Sequence, residues 1–206
     1  MKHLIIGGVA GGATAAARIR RIDEQAEIVL LEKGPHISYA NCGLPYYIGG
    51  VIAHREKLFV QTPEAFGQQF NVDVRICSEA IAIHPEKKTV TVRKADGSCY
   101  EEGYDRLLLS PGATPVRPPL KGIDLEGIFT LRNVEDTDRI KSYLQEHEVK
   151  SAVVVGGGFI GLEMAENLQE AGAKVSIVEM ANQVMAPIDF SRSEEHTSEL
   201  QSHYSI

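Results

Sequence analysis

Residues 38–50 read SYANCGLPYYIGG and hold one cysteine, Cys42, among small and aromatic side chains. The position five residues further on is Tyr47, not a second thiol. A reactive thiol with no resolving neighbour has two courses. It forms a mixed disulfide with an outside thiol, or it is oxidised to a sulfenic acid. Asn41 is read as an N-cap that places Cys42 in the first turn of a helix, where the helix dipole favours a thiolate. Gly43 beside it leaves steric room for a flat ring and an incoming sulfur. Cys77 and Cys99 stand in strand-like contexts and read as inert. The three cysteines have neither metal-ligand nor disulfide-framework spacing, so no metal site is expected, and a reducing cytoplasm is the expected compartment.

Two glycine-rich loops supply the second kind of chemistry. At Gly156-Gly157-Gly158-Phe159-Ile160-Gly161 a full G-x-G-x-x-G lies between a strand and a helix. Gly156 permits the tight turn, Gly158 lets a pyrophosphate approach the backbone, and Gly161 allows close helix–strand packing. Phosphates would sit at the helix N-terminus, and Glu179 at the end of the next strand can accept from both ribose hydroxyls. The first loop is Gly7-Gly8-Val9-Ala10-Gly11-Gly12, with Val9 in place of the middle glycine and Gly8 and Gly11 free to reroute the backbone. Glu32 is its ribose acid. Lys33 and Glu163 are grouped with these as cofactor-binding candidates. Two nucleotide sites in one chain suggest two different cofactors. The strand that ends at Ser110-Pro111-Gly112 matches a turn that flavoproteins pack against FAD. This assigns the first loop to FAD and the second to a nicotinamide nucleotide.

These loops need βαβ units to hold them. HLIIG is a strand, GGVAGGATAAARIRRI a helix, and AEIVLLE a second strand ending on Glu32. SAVVVGGG, FIGLEMAENLQEAG and AKVSIVE repeat the pattern from Ser151 to Glu179, an internal duplication of dinucleotide-binding type. Between them, TPEAFGQQF reads as a short helix with Thr62 as N-cap and Pro63 at its first position. KKTVTVRKADGSCYEEG reads as a hairpin turning at Asp96-Gly97. YDRLLLSPGATP reads as a buried strand, and NVEDTDRIKSYLQEH as an amphipathic helix. The fold class is α/β, with residues 1–150 as the first unit, 151–190 as the start of the second, and 191–206 as a non-native polar tail.

The 206-residue chain is 43% hydrophobic and 24% charged, with net charge -7. That balance offers no basic field for nucleic acid or an anionic membrane. No apolar run approaches the roughly 20 residues that span a bilayer. The ending RSEEHTSELQSHYSI breaks all periodicity. RSEEHTSELQSH back-translates into a sequence resembling a widely used sequencing adapter. The native frame is therefore expected to be lost near Ser191, leaving a fragment of a longer protein that is itself inactive, with both nucleotide domains incomplete.

Taken together, the motifs resemble those of the pyridine nucleotide-disulfide oxidoreductases over about residues 1–190. The similarity is strongest to their single-cysteine branch, which includes coenzyme A-disulfide reductases, NADH oxidases, NADH peroxidases and persulfide reductases. The resemblance implies tandem Rossmann-like FAD- and NAD(P)-binding domains in three ββα layers, the cofactors FAD and NADH or NADPH, and a homodimer. It implies that Cys42 passes electrons to CoA disulfide or a persulfide through a mixed disulfide. Peroxidases of the branch carry a histidine where Ala10 stands, and oxidases and peroxidases tend to have serine before the cysteine, where Asn41 stands. Thr14, Arg18 and Arg21 recur at helical spacing, and arginine suits bidentate phosphate binding. Ser38 and Asn41 lie near Cys42 in sequence. By resemblance these five are substrate contacts. A water-forming oxidase and a non-catalytic nucleotide-binding module stay open at this point.

Overall fold

The computed structural model describes residues 1–188. The tail expected at 191–206 lies outside the described residues. The elements in chain order are β1 (Lys2–Ile6), α1 (Ala10–Ile22), β2 (Glu27–Leu31), α2 (Leu44–Ile48), α3 (Pro63–Phe70), β3 (Asp73–Arg75) and β4 (Ser78–His84). They continue with β5 (Thr89–Lys94), β6 (Cys99–Gly103), β7 (Arg106–Leu109), α4 (Val134–Glu146), β8 (Ser151–Val155), α5 (Phe159–Glu170) and β9 (Lys174–Val178). Two compact units form. One comprises Met1–Ala40 and Glu56–Val116, the other Asn41–Arg55 and the chain from Arg117 onward. Packing thus groups residues 41–55 and 117–150 with the second glycine loop, a different partition from one drawn at the nucleotide motifs.

The first unit is built on a parallel sheet of order β3-β2-β1-β7. Strand side chains alternate between faces, and both faces are covered. Ile5, Ile28 and Leu30 pack with Ala13, Ala16 and Phe66 of α1 and α3. Leu4, Val29 and Leu31 pack with Val90 and Val92 of an antiparallel sheet of order β4-β5-β6. This is the expected ββα layering. It explains why the β1 and β2 sequences read as continuous apolar runs. The small residues Gly12, Ala13 and Ala16 form the buried face of α1. Arg20 fastens its C-terminal end by donating to the carbonyls of Asp23, Glu24, Ala26, Phe70 and Asn71.

The local signals of the middle segment are also realised. The Thr62 hydroxyl accepts from the Ala65 amide at 3.1 Å, with Pro63 in the first turn of α3. The β5–β6 hairpin turns at Gly97, φ +83°, with Asp96 accepting from the Ser98 amide. One expectation needs correction. The strand before Ser110 was read as buried, but β7 is a sheet edge, and Leu109 is 56% exposed.

In the second unit β8 and β9 pair in parallel. Ala152, Val154 and Val175 of one face pack against a cluster of Ile48, Ile140, Met164 and Leu168. Val153, Val155 and Val178 are exposed. A capping box starts α4: Asn133 accepts from the Asp136 amide and Asp136 from the Asn133 amide.

A charged seam joins the two sheets of the first unit. Glu102 on β6 is nearly buried and pairs with Lys2 of β1 at 2.6 Å and with Arg75 of β3. Burial pushes the Glu102 carboxyl up, but hydrogen bonds from Lys2 and Arg75 outweigh it and hold the group below the usual carboxylate range. A depressed acid stabilises the fold fully above its unfolded value of about 4.3, and this contribution drains as pH falls through the lower folded value. Glu102→Gln is expected to lower stability at neutral pH by about 2 kcal/mol. It should also flatten the acid limb of a urea-unfolding series below pH 5, where the parent loses stability.

Candidate functional site

The first loop gathers at the carboxyl ends of β1, β2 and β7. The sheet order reverses there, because β2 lies on one side of β1 and β7 on the other. Open α/β sheets bind ligands at such crevices. Gly7 adopts φ +98°, and a Cβ there would overlap the Ser110 carbonyl. A Cβ on Gly12 would overlap the Gly7 carbonyl, and one on Gly11 would lie 2.8 Å from the Ser110 hydroxyl. Glu32 ties the loop to the end of β2: Oε2 accepts from the Gly8 amide at 2.8 Å and Oε1 from the Gly34 amide at 2.9 Å. Ser38 closes the rim. Its amide donates to the Gly8 carbonyl, and its φ of +46° is left-handed, a strained state for a residue with a side chain.

The second loop repeats the helix contact and the acid tie of the first. Gly156 has φ +106°, and a Cβ on Gly161 would overlap its carbonyl. Glu179 accepts from the Gly157 amide through Oε2 at 2.6 Å and from the Ala181 amide through Oε1 at 2.8 Å. These bonds, from Ala181 first and Gly157 second, hold its carboxyl below the usual range, so it is anionic at neutral pH. The turn glycines differ in their surroundings, since a Cβ on Gly156 would meet nothing within 4 Å where one on Gly7 would overlap Ser110. A second difference falls at the position the sequence marked. Nothing lies within 4 Å of a Cβ on Gly158, whereas Val9 fills the equivalent place. Val9 has φ -90° and Gly158 φ -81°, so neither position demands glycine for its backbone. Glycine at 158 leaves that space open.

The ends of the helices decide what these loops can hold. Four amides at a helix N-terminus lack intrahelical partners. In α3 and α4 side chains of Thr62 and Asn133 cap them, and acidic residues occupy the first turns. In α1 and α5 there is neither a side-chain cap nor an acidic first-turn residue. The five-residue α2 is uncapped as well, but of the longer helices only the two that follow glycine loops are left bare, which fits a diphosphate at each. Of the other candidates in the first unit, Thr14, Arg18, Arg21, Lys33, Pro111 and Gly112 are exposed and Ser110 is half-buried. In the second, Phe159 and Ile160 are exposed and Glu163 is half-buried.

Cys42 is a free, exposed thiol. Its setting corrects the expected cap. Asn41–Gly43 forms a 3-10 turn, and the helix begins only at Leu44, with Gly43 at the N-cap position. Asn41 Oδ1 caps nothing and is buried without a hydrogen-bond partner. The segment from Asn41 to Arg55, with α2 at its centre, lies on α4 and α5 of the same unit.

The family model for pyridine nucleotide-disulphide oxidoreductases matches residues 1–204. The chain belongs to this family. A coenzyme A disulfide reductase of Staphylococcus haemolyticus is 42% identical over 189 residues, covering 91% of this chain and 42% of that protein. The chain thus spans less than half the length of the curated relatives it matches. Among solved structures, reduced CoADR-RHD of Bacillus anthracis superposes with TM-score 0.96 at 52% identity, over 98% of this chain and 37% of that one. A NAD-dependent persulfide reductase from A. fulgidus superposes with TM-score 0.93 at 36% identity, over 98% and 38%.

Family membership accounts for the two loops but not for every residue that shapes them. The second bonds of Glu32 and Glu179, to Gly34 and Ala181, carry no sequence signal. Nor does the left-handed Ser38, since serine is unremarkable there by type. Gly12→Ala and Gly161→Ala are expected to destabilise their units by about 1–3 kcal/mol through overpacking, read from urea unfolding. Gly158→Ala should leave the unfolding midpoint unchanged and weaken nucleotide binding, measured by fluorescence titration with NADH.

Proposed function

We propose that the chain carries the FAD loop, the nicotinamide loop and the reactive cysteine of a NAD(P)H-dependent disulfide reductase whose substrate is CoA disulfide. The supporting observation is the combination of two uncapped, acid-tied loop helices with one exposed thiol that has no resolving partner nearby in sequence. When bound, FAD and the nicotinamide supply the two reducing electrons. The Cys42 thiolate attacks one sulfur of the substrate disulfide, forming a mixed disulfide and releasing one thiolate. Two electrons and a proton then cleave the mixed disulfide, releasing the second thiol and restoring Cys42. One NADH and one proton are consumed per disulfide, and two thiols appear. Residues 1–150 carry the flavin side of this division and 151–190 the nicotinamide side. Thr14, Arg18, Arg21, Ser38 and Asn41 are assigned to the substrate. The arginines suit its phosphates, and the unpartnered Asn41 amide oxygen suits a donor on the arm next to the sulfur. A cytoplasmic homodimer is part of the same reading. No helix among the described residues is long and apolar enough to cross a membrane.

A persulfide is the second substrate reading, favoured by the 36% identity to the persulfide reductase and by the same thiolate chemistry. Sulfide release, against thiol release from CoA disulfide, separates the two, and oxygen uptake tests the oxidase alternative. Anaerobic bleaching of the flavin by NADH distinguishes a catalyst from a binding module.

In the intact parent enzyme, Cys42→Ser is expected to abolish NADH-dependent disulfide reduction while the bound flavin stays yellow. Full turnover in that variant would refute the mechanism. The anionic Glu179, followed by Met180, Ala181, Asn182 and Gln183 with no arginine or lysine, disfavours a 2′-phosphate. NADH is expected to exceed NADPH in kcat/KM by about tenfold, equivalent to ~1.4 kcal/mol, and equal efficiencies would contradict this assignment.

A further inference from the structure

We infer that helix α4 positions the cysteine segment, with Asp138 and Lys141 as its two holding residues. The inference rests on the proposed role of Cys42 as the reacting thiol. The segment cannot hold itself. Its helix, α2, has five residues, far below the length at which an isolated helix is stable in water. The carbonyls of Pro45, Tyr46 and Tyr47 accept from the amides of Gly49, Ile52 and Gly50 of the same segment, so what remains to be supplied from outside is its anchorage to the fold.

That anchorage comes from one face of α4. Lys141 Nζ donates to the Tyr47 carbonyl at the end of α2 and stands 3.8 Å from the centroid of the Tyr47 ring. One ammonium thus adds a second donor to a carbonyl that the Gly50 amide already meets and makes a cation–π contact with the same residue. One turn earlier on α4, Asp138 takes a two-pronged bond from Arg55, the last residue of the segment. Nε lies 3.0 and 2.9 Å from the two carboxylate oxygens, and Nη2 lies 2.7 Å from Oδ2. Residues 138 and 141 are spaced i, i+3, so they share a face. The segment is therefore gripped at Tyr47 and at Arg55.

A third contact fixes depth. A Cβ on Gly49 would lie 2.6 Å from Asn167 Oδ1 and 2.8 Å from the Asn167 carbonyl of α5. The end of α2 is seated hard against that helix. Lys141 holds its place against its own solvation, since burial lowers its pKa. A methionine would fill the same space without that penalty. The charge serves to orient the segment.

The test labels Cys42 itself. In the full chain with Cys77→Ser and Cys99→Ser, a nitroxide on Cys42 reports segment motion by its EPR line shape. Lys141→Met and Asp138→Asn are each expected to shorten the label's correlation time by about twofold or more, on the nanosecond scale of loop motion. Lys141→Arg should restore the parent line shape by supplying a donor cation at the same place. Circular dichroism melts establish that each variant is folded. Should Lys141→Met not fold, Asp138→Asn decides alone. A folded variant whose spectrum superimposes on the parent overturns the inference. The label does not depend on turnover, so loss of the disulfide-reductase reading would leave this result standing, and the reverse also holds.

Discussion

Two carbonyl oxygens, those of Gly7 and Gly156, set the form of the whole chain. Each must lie where the Cβ of a later helical residue would be, so Gly12 and Gly161 cannot carry side chains. This contact brings each helix down onto the strand that precedes it. The small face of α1 continues the approach through Ala13 and Ala16, and the sheet beneath is then covered closely enough to be buried on both sides. Without the close approach, the N-terminus of the helix would stand off from the strand end, and no crevice of nucleotide dimensions would form there.

The same geometry governs the electrostatics. A helix that starts at a tight glycine turn has no residue in position to cap it, so its amides and the positive end of its dipole stay available. The chain places acids one step away instead. Glu32 and Glu179 sit at strand ends, each bonded to a loop amide, and neither stands in the first turn where it would neutralise the helix. Negative charge is thus kept at the strand ends and out of the first helical turns. The capped helices α3 and α4 show the opposite arrangement and carry no loop for a ligand.

Much of this was legible from residue types because the contacts are short in sequence. The strand–loop–helix units, the Thr62 cap and the Asp96-Gly97 turn each need only a few neighbouring residues to specify them. Strands β3 and β4 escaped notice. The first has three residues, and the link between them runs through a left-handed Cys77 that no residue type announces. The half-exposed β7 was misread because an apolar run does not say whether a strand is central or at an edge. Asn41 does not cap because the 3-10 turn moves the helix start two residues on, from Cys42 to Leu44. The mounting of the cysteine segment was out of reach entirely. Its bonds join residues 83 and 94 positions apart, and neither Asp138 nor Lys141 differs from an ordinary surface charge until the fold brings its partner to it.

The double engagement of Glu179 bears on how this protein could change its nucleotide over evolutionary time. The carboxylate that would meet the ribose also holds the amide of buried Gly157 and the amide of Ala181. A lineage moving toward a phosphorylated ribose must remove that charge, and the simplest replacement strands the Gly157 amide without a partner, at about 1–3 kcal/mol. On the proposed reading, the side chain that would select the ribose is also the one that holds the loop, so one substitution there would disturb both.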